Sequence, residues 1–174
     1  MNTPYKIPEK INAYNVYKQG KKLIGLSDEV KLPDFESLTE TISGAGILGE
    51  IDSPTIGLFA GMEMEIPFRQ LGESISELVN PLNGIDLTLR GSSQVMDSSG
   101  NTSFEGIRVI VRGRSKSLTG GKFKQGEGTG SSVKIELTYC KIEINNKNIV
   151  ELDKLNCVYK VGDVDILEKV RSLI

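Results

Sequence analysis

The chain has 174 residues, 38% hydrophobic and 25% charged, which suits one globular domain, residues 1–174, able to bury a real core. Lysine and arginine number 21 against 23 aspartates and glutamates, and this net charge of −2 excludes a broadly basic surface built to bind nucleic acid. Histidine is absent, which removes the commonest general base and metal ligand, and the two cysteines, Cys140 and Cys157, are too few for a disulfide framework and read as buried thiols.

No apolar run approaches the roughly 20 residues of a membrane span. Met1-Asn2-Thr3-Pro4-Tyr5-Lys6 lacks the apolar region of a secretory signal, so synthesis in a cytoplasm without signal-directed export is expected. Further along, Ile24, Leu26, Val30 and Leu32 predict a strand pair. Ser43-Gly44-Ala45-Gly46-Ile47-Leu48-Gly49 is glycine-rich and predicts a long mobile loop. Met62, Met64, Ile66 and Phe68 then alternate with Glu63, Glu65 and Pro67, the pattern of a strand with one buried face. Leu71, Ile75, Leu78 and Val79 keep helical spacing until Asn80-Pro81 stops them, predicting one short internal helix.

Ile85, Leu87 and Leu89 alternate with Asp86, Thr88 and Arg90, and Ile107, Val109 and Val111 alternate with Arg108, Ile110 and Arg112. The turn formers Asp97-Ser98-Ser99-Gly100-Asn101 join them, predicting a long antiparallel hairpin over residues 85–96 and 104–114. Odd residues oppose odd in it, which sets Asp86 across from Arg112 or Arg114. Residues 120–130 form a second glycine-rich loop. Gly126, Gly128 and Gly130 do not make a nucleotide loop there, because a strand follows and Gly121-Lys122 is trailed by Phe123.

In the next strand Val133, Ile135, Leu137 and Tyr139 are apolar at odd positions, whereas Cys140, Ile142 and Ile144 are apolar at even ones. That slip predicts a bulge, or a strand passing between two environments as at a sandwich corner. Asn145-Asn146-Lys147-Asn148 turns the chain into a partner strand over residues 149–153. Asp165-Ile166-Leu167-Glu168 has capping-box spacing, and Leu167, Val170, Arg171 and Ile174 keep the helical period, predicting a C-terminal helix. The expected class is mainly β (α+β): an antiparallel β-sandwich or barrel of two sheets, with one short internal helix and a C-terminal helix.

Arg108, Arg112 and Arg114, with Lys116 beyond, form a basic stripe, but no aromatic residues are interleaved for base stacking, so a solvated or intersubunit face is the better reading. Glu63 and Glu65 share a strand face without other polar partners, too little for glycosidase chemistry. No cofactor is implied.

Several runs resemble a known family. Val111-Arg112-Gly113-Arg114-Ser115-Lys116, Lys124-Gln125-Gly126-Glu127, Thr138-Tyr139, Glu151-Leu152-Asp153-Lys154-Leu155-Asn156 and the C-terminal residues 164–174 are similar, in order and spacing, to the major tail tube protein of contractile-tailed bacteriophages and R-type bacteriocins. The likeness is strongest from Gly106 onward; before it, Gly44-Ala45-Gly46 is the main echo. The chain departs from the family where Gly162 is followed by Asp163 rather than by the Val-Asp pair. The type VI secretion tube is a more distant structural relative.

The resemblance implies a structural subunit and not an enzyme. It implies hexameric rings stacked into a tube inside a contractile sheath, with baseplate and tail-terminator proteins at the ends. DNA passes through without specific binding, no small-molecule ligand is involved, and the place is a virion tail or a bacteriocin particle. The glycine-rich segments are then candidate subunit contacts, through Gly44, Ala45, Gly46, Ile47 and Leu48 and through Phe123, Gln125, Gly126 and Glu127. A conduit that must not hold phosphates needs an acidic or neutral wall, which selects Glu63 with Glu65, and Glu136 with Glu143, and sends the arginine stripe to subunit contacts or to carboxylate partners. The competing reading is a small-ligand or oligonucleotide-binding β-barrel.

Overall fold

The computed structural model describes residues 5–26 and 29–174. The sequence reading of residues 1–4, and the middle of the strand pair expected near residues 24–32, lie outside the described residues. Alternating sequences become long antiparallel strands: β1 (Lys6–Lys18), β2 (Lys21–Lys22), β3 (Ser37–Ile42), β4 (Ile51–Phe59), β5 (Glu63–Phe68), β6 (Ile85–Asp97), β7 (Thr102–Thr119), β8 (Ser131–Ile144), β9 (Lys147–Asp153), β10 (Val158–Val161) and β11 (Val164–Asp165). Two short helices complete the chain, α1 (Glu73–Val79) and α2 (Glu168–Arg171). The mainly β, antiparallel architecture with two helices is the one the periodicity predicts. Its sheets are unequal. One runs β11-β10-β9-β8-β7-β6-β1-β2 with β5 also on β8, and the other is the ribbon β3-β4.

One face of the large sheet is the core. Val16, Leu87, Val111, Ile135, Cys140 and Leu152 project from successive strands with essentially no exposure, and β5 adds Met64, Ile66 and Phe68. Helix α1 closes this face with Ile75 and Leu78. Leu71, expected inside that helix, precedes it: the helix starts after Gly72, and the Leu71 amide donates instead to Thr129 Oγ1 at 3.0 Å.

The β6–β7 hairpin has the predicted register, with Leu87 opposite Val111, Leu89 opposite Val109 and Asp86 opposite Arg112. Its turn is organised by Asp97, whose carboxylate accepts from the amides of Ser99 and Asn101, each at 2.8 Å. The β8–β9 turn places Asn145 at φ 51° and Asn146 at φ 62°, the two left-handed positions that a tight hairpin needs.

The slip in β8 is a bulge. Arg112 faces Tyr139 while the next residue, Gly113, faces Leu137, so Thr138 is the extra residue. The strand exchanges partners there: Ser131 to Glu136 pair with β5, and Tyr139 to Ile144 pair with β9. The Leu137 amide donates to Met62 O at 2.8 Å, and the Lys154 amide donates to Thr138 O at 2.9 Å, stitching the junction.

Three expectations are corrected. The segment near residues 24–32 is not a strand pair: its described part offers only the isolated bridges Leu26–Phe68 and Lys31–Glu65, and its side chains cap the core instead. The C-terminal helix is a single turn. Asp165 belongs to β11 and, rather than capping a helix, accepts from the Leu167 amide at 3.1 Å and pairs with Arg171 at 2.7 Å. Leu173 and Ile174 find no apolar surface and remain exposed. Cys157, read as buried, is exposed in the turn after β9, whereas Cys140 is buried and its thiol is pushed up to about 12 by desolvation.

Gly113 makes the bulge possible. A Cβ there would lie 2.0 Å from the Glu136 carbonyl oxygen, a backbone atom that cannot give way. Gly113→Ala is therefore expected to cost on the order of 2–4 kcal/mol, read as a lower denaturation midpoint in urea. An unchanged midpoint would show that the two strands can separate at no cost.

Candidate functional site

The face of the large sheet away from the core is polar, and its charges are set by strand register, because directly opposed residues share a face. Four strands contribute one row of alternating sign: Lys141, Glu151, Lys160 and Asp165 lie opposite one another in turn. Arg114 faces Glu136, which faces Glu63. Lys134 faces Glu65, which lies opposite Lys31 in an isolated backbone β-bridge.

The acidic and basic sets that the sequence reading assigned to different surfaces therefore lie on one. Glu63, Glu65, Glu136 and Glu143 share this face with Arg108, Arg112 and Arg114, because β5 and β7 flank β8 and the bulge keeps the polar parity on the same side. The stripe is largely neutralised. Arg108 Nε donates to Glu143 at 2.5 Å, Arg112 Nε lies 3.4 Å from the Asp86 carboxylate, and the Arg112 guanidinium also stacks on the Tyr139 ring at 4.3 Å. Lys116 joins Glu63 and Glu136 in one ion-pair group. The hydrogen bond from Lys116 holds the Glu63 carboxyl below its usual range and raises Lys116 in turn.

Glu143 differs from the other three carboxylates in being buried, between Arg108 and Lys141, whose ammonium is 2.9 Å away. First Lys141 and then Arg108 hold its pKa below the ordinary glutamate value, against the desolvation that would raise it. Arg90 stands directly opposite Arg108, a like-charge pair, and rests against the Tyr17 ring at 5.5 Å.

The glycine-rich segments have different characters. Residues 44–49 form the tip of the β3–β4 ribbon, where the Ile47 amide donates to Gly44 O at 3.1 Å and Leu48 is fully exposed. Gly44, Ala45 and Gly46 are exposed with them. Residues 120–130 join β7 to β8 and are held at their base. The Lys122 amide donates to Thr129 O at 2.8 Å, Thr129 and Ser131 are buried and share a 2.8 Å hydrogen bond, and Gly121 leaves no room for a side chain against Thr129 O. Apart from Thr129 the segment is exposed, including Phe123, Gln125, Gly126 and the Glu127 that pairs with Lys124.

The sequence reading missed the ribbon around the first of these tips. Its base is docked, with Phe59 against Tyr159 at a ring separation of 5.0 Å and Gly57 against Leu167. Along its length it exposes Leu38, Ile42, Ile51, Ile56 and Leu58. The signal was the Leu38-Glu40-Ile42 alternation before the glycines and Ile51 after them. A groove of about 660 Å³ opens elsewhere, on the core side of β1, lined by Ile11, Leu23, Leu26, Leu32, Leu89 and Val109. Among the described residues no group of three or more Cys, Asp or Glu side chains is placed to hold a metal ion.

A family model described as phage tail tube protein FII matches residues 8–174. The tail tube protein of Escherichia phage P2 is 31% identical over 169 residues, covering 95% of this chain and 96% of the relative. The major tail tube protein of Serratia phage KSP20 is 31% identical over 155 residues, covering 88% of each.

The buried Glu143 gives the polar face a pH signature. Its folded pKa is depressed, so its contribution is present above the unfolded pKa and lost as pH falls through the folded one. Glu143→Gln is expected to cost about 1–3 kcal/mol at pH 7, and the difference is expected to shrink as pH falls through the depressed folded pKa. Denaturation of both proteins at pH 7 and at successively lower pH checks it, and a difference that does not change with pH would remove Glu143 from the acid response.

Proposed function

The chain belongs to the phage tail tube protein family, and from that premise we propose that it is the repeating subunit of the inner tube of a contractile tail, hexameric rings of it stacking within a sheath. Its role is structural, not catalytic, and the whole of residues 1–174 acts as one tube domain. Baseplate and tail-terminator proteins close the two ends, and the particle is a virion or a headless bacteriocin made in a bacterial cytoplasm.

The observation that carries this reading is the open outer edge of β1. Among the described residues, β2 pairs only with Tyr17 and Lys18 and the Leu23 amide reaches Val16 O, so the backbone from Lys6 to Ala13 has a strand partner on one side alone. A long unpaired edge is a template for another chain, and contacts that differ on the two partners generate rings and filaments from one sequence. The loop residues Gly44 to Leu48, and Phe123 and Gln125 to Glu127, are proposed contacts between such copies.

The polar face suits a conduit wall, with Glu63, Glu65 and Glu136 toward the lumen and Glu143 beneath them. The arginines of β7 then line the wall as well. Because Arg108 and Arg112 are already neutralised by carboxylates, a passing phosphate displaces few counterions on meeting them, and DNA is not retained. The oligonucleotide-binding alternative needs the opposite: uncompensated cations and stacking aromatics along the same face.

Hydrogen exchange on the dispersed subunit and on assembled tubes tests the proposal. The amides of residues 44–49 and 122–128 are expected to gain protection on assembly, the former more because the tip of their ribbon lies beyond its docked base and is exposed throughout. Negative-stain microscopy of concentrated protein should show rings or tubes, and monomers at every concentration would overturn the reading.

A further inference from the structure

Asparagine is followed by glycine at one place in the sequence, Asn83-Gly84, in the turn that leads from α1 into β6. Every residue from Asn80 to Gly84 is exposed. Asn80 organises this turn: its carbonyl accepts from the Asn83 amide at 3.4 Å, and its side-chain Oδ1 accepts from the Leu82 amide at 3.0 Å. The Asn83 carboxamide itself takes no hydrogen-bond partner among the described residues, and neither does the Gly84 amide, which lies just before β6 begins at Ile85.

That combination is chemically reactive. The amide nitrogen of the following residue can attack an asparagine side chain wherever the backbone lets it reach Cγ, and glycine, lacking a Cβ, leaves the approach open. An exposed turn supplies the conformational freedom. We infer that Asn83 is a site of spontaneous covalent modification, its carboxamide being converted through ring closure with Gly84 into an aspartate or an isoaspartate. The Gly84 nitrogen bonds to Asn83 Cγ, the Cγ–NH2 bond breaks, and ammonia leaves with the proton lost from the Gly84 amide, giving a cyclic succinimide. Water, the only other reactant, then opens the ring. Addition at the side-chain carbonyl restores the ordinary main chain and leaves an aspartate; addition at the main-chain carbonyl routes the chain through Cγ and leaves an isoaspartate.

The structure separates Asn83 from other asparagines. Asn80 precedes Pro81, whose nitrogen has no hydrogen to lose. The Asn101 carboxamide is tied to Asp97 at 3.0 Å and that of Asn156 to Asp153 at 2.7 Å, and Asn145 accepts from the Gly106 amide at 3.0 Å. Each of these three is also followed by a residue whose side chain crowds the attacking nitrogen. The products have local consequences. Either one adds a negative charge to the net −2, three residues before the Asp86 that neutralises Arg112. Isoaspartate also lengthens the main chain by one carbon, two residues before Ile85 enters the core.

The test is timed incubation of the dispersed full chain in mildly alkaline buffer, followed by isoelectric focusing and tryptic peptide mass spectrometry. Cleavage after Arg69 and Arg90 yields one peptide, residues 70–90, that holds both Asn80 and Asn83. The mass gain of exchanging NH2 for OH is expected to accumulate on Asn83 and not on Asn80, together with a more acidic band. Gly84→Ala is the control. Gly84 lies outside the left-handed region and an added Cβ meets nothing within 4 Å, so the variant keeps the fold, and its modification is expected to be slower by about tenfold or more. If Asn101 or Asn156 gains mass as fast as Asn83, or if Gly84→Ala leaves the rate unchanged, the inference fails. A rate at Asn83 lower by about tenfold or more in the folded protein than in urea would also overturn it, because the folded turn would then hold the carboxamide out of reach. The measurement needs no assembly, so its result stands apart from the tube-subunit reading.

Discussion

The architecture turns on the approach of Gly113 to the carbonyl of Glu136. Antiparallel backbones are normally spaced by their ladder of hydrogen bonds with side chains standing off the sheet, and the extra residue Thr138 breaks that ladder and brings the Glu136 carbonyl into the place a Gly113 Cβ would occupy. Two consequences follow. First, β8 bends enough to leave β5 and take up β9, so a single strand serves two parts of the sheet. Second, the bulge inverts the parity of β8: Leu137 and Cys140 both reach the core, while Glu136 and Tyr139 both reach the outer face. Without the inversion, the half of β8 beyond Thr138 would turn Cys140, Ile142 and Ile144 to solvent and bury Lys141 and Glu143 in the apolar core.

The outer face is a consequence of that parity. Once β8 keeps its polar residues on one side throughout, lysines and glutamates of neighbouring strands fall into cross-strand rows. Most of these pairs are solvent-exposed and contribute well under 1 kcal/mol each. Their value is in register. A one-residue slip would set Lys141 and Glu151 on opposite faces and would take Arg108 away from Glu143. Arg90 opposite Arg108 runs against the pattern, and it is tolerated because Glu143 already neutralises one guanidinium and the Tyr17 ring faces the other.

Sequence alternation revealed what burial controls. The β6–β7 hairpin was legible to its register because Ile85, Leu87 and Leu89, and Ile107, Val109 and Val111, each keep strict period two against one core. The bulge in β8 was legible, one residue late, because it changes the parity of burial. The 13-residue β1 was not, for the opposite reason: two register shifts, at Pro8/Lys10 and Ile11/Ala13, break its alternation, and Val16 is its one buried side chain. The β3–β4 ribbon was hidden similarly, since beyond its docked base most of its side chains are exposed. Acidic and basic residues were assigned to separate surfaces because each strand was read alone. Which residues share a face depends on pairing through β8, and no single strand encodes that.

The strands that sequence periodicity failed to find are the ones most exposed to solvent. A strand whose side chains are buried by its own chain must show alternation, because burial selects it; a strand buried by a neighbour need satisfy only that neighbour's surface. The chain adjacent to the N-terminus and the β3–β4 ribbon carry apolar residues without a regular face inside the subunit.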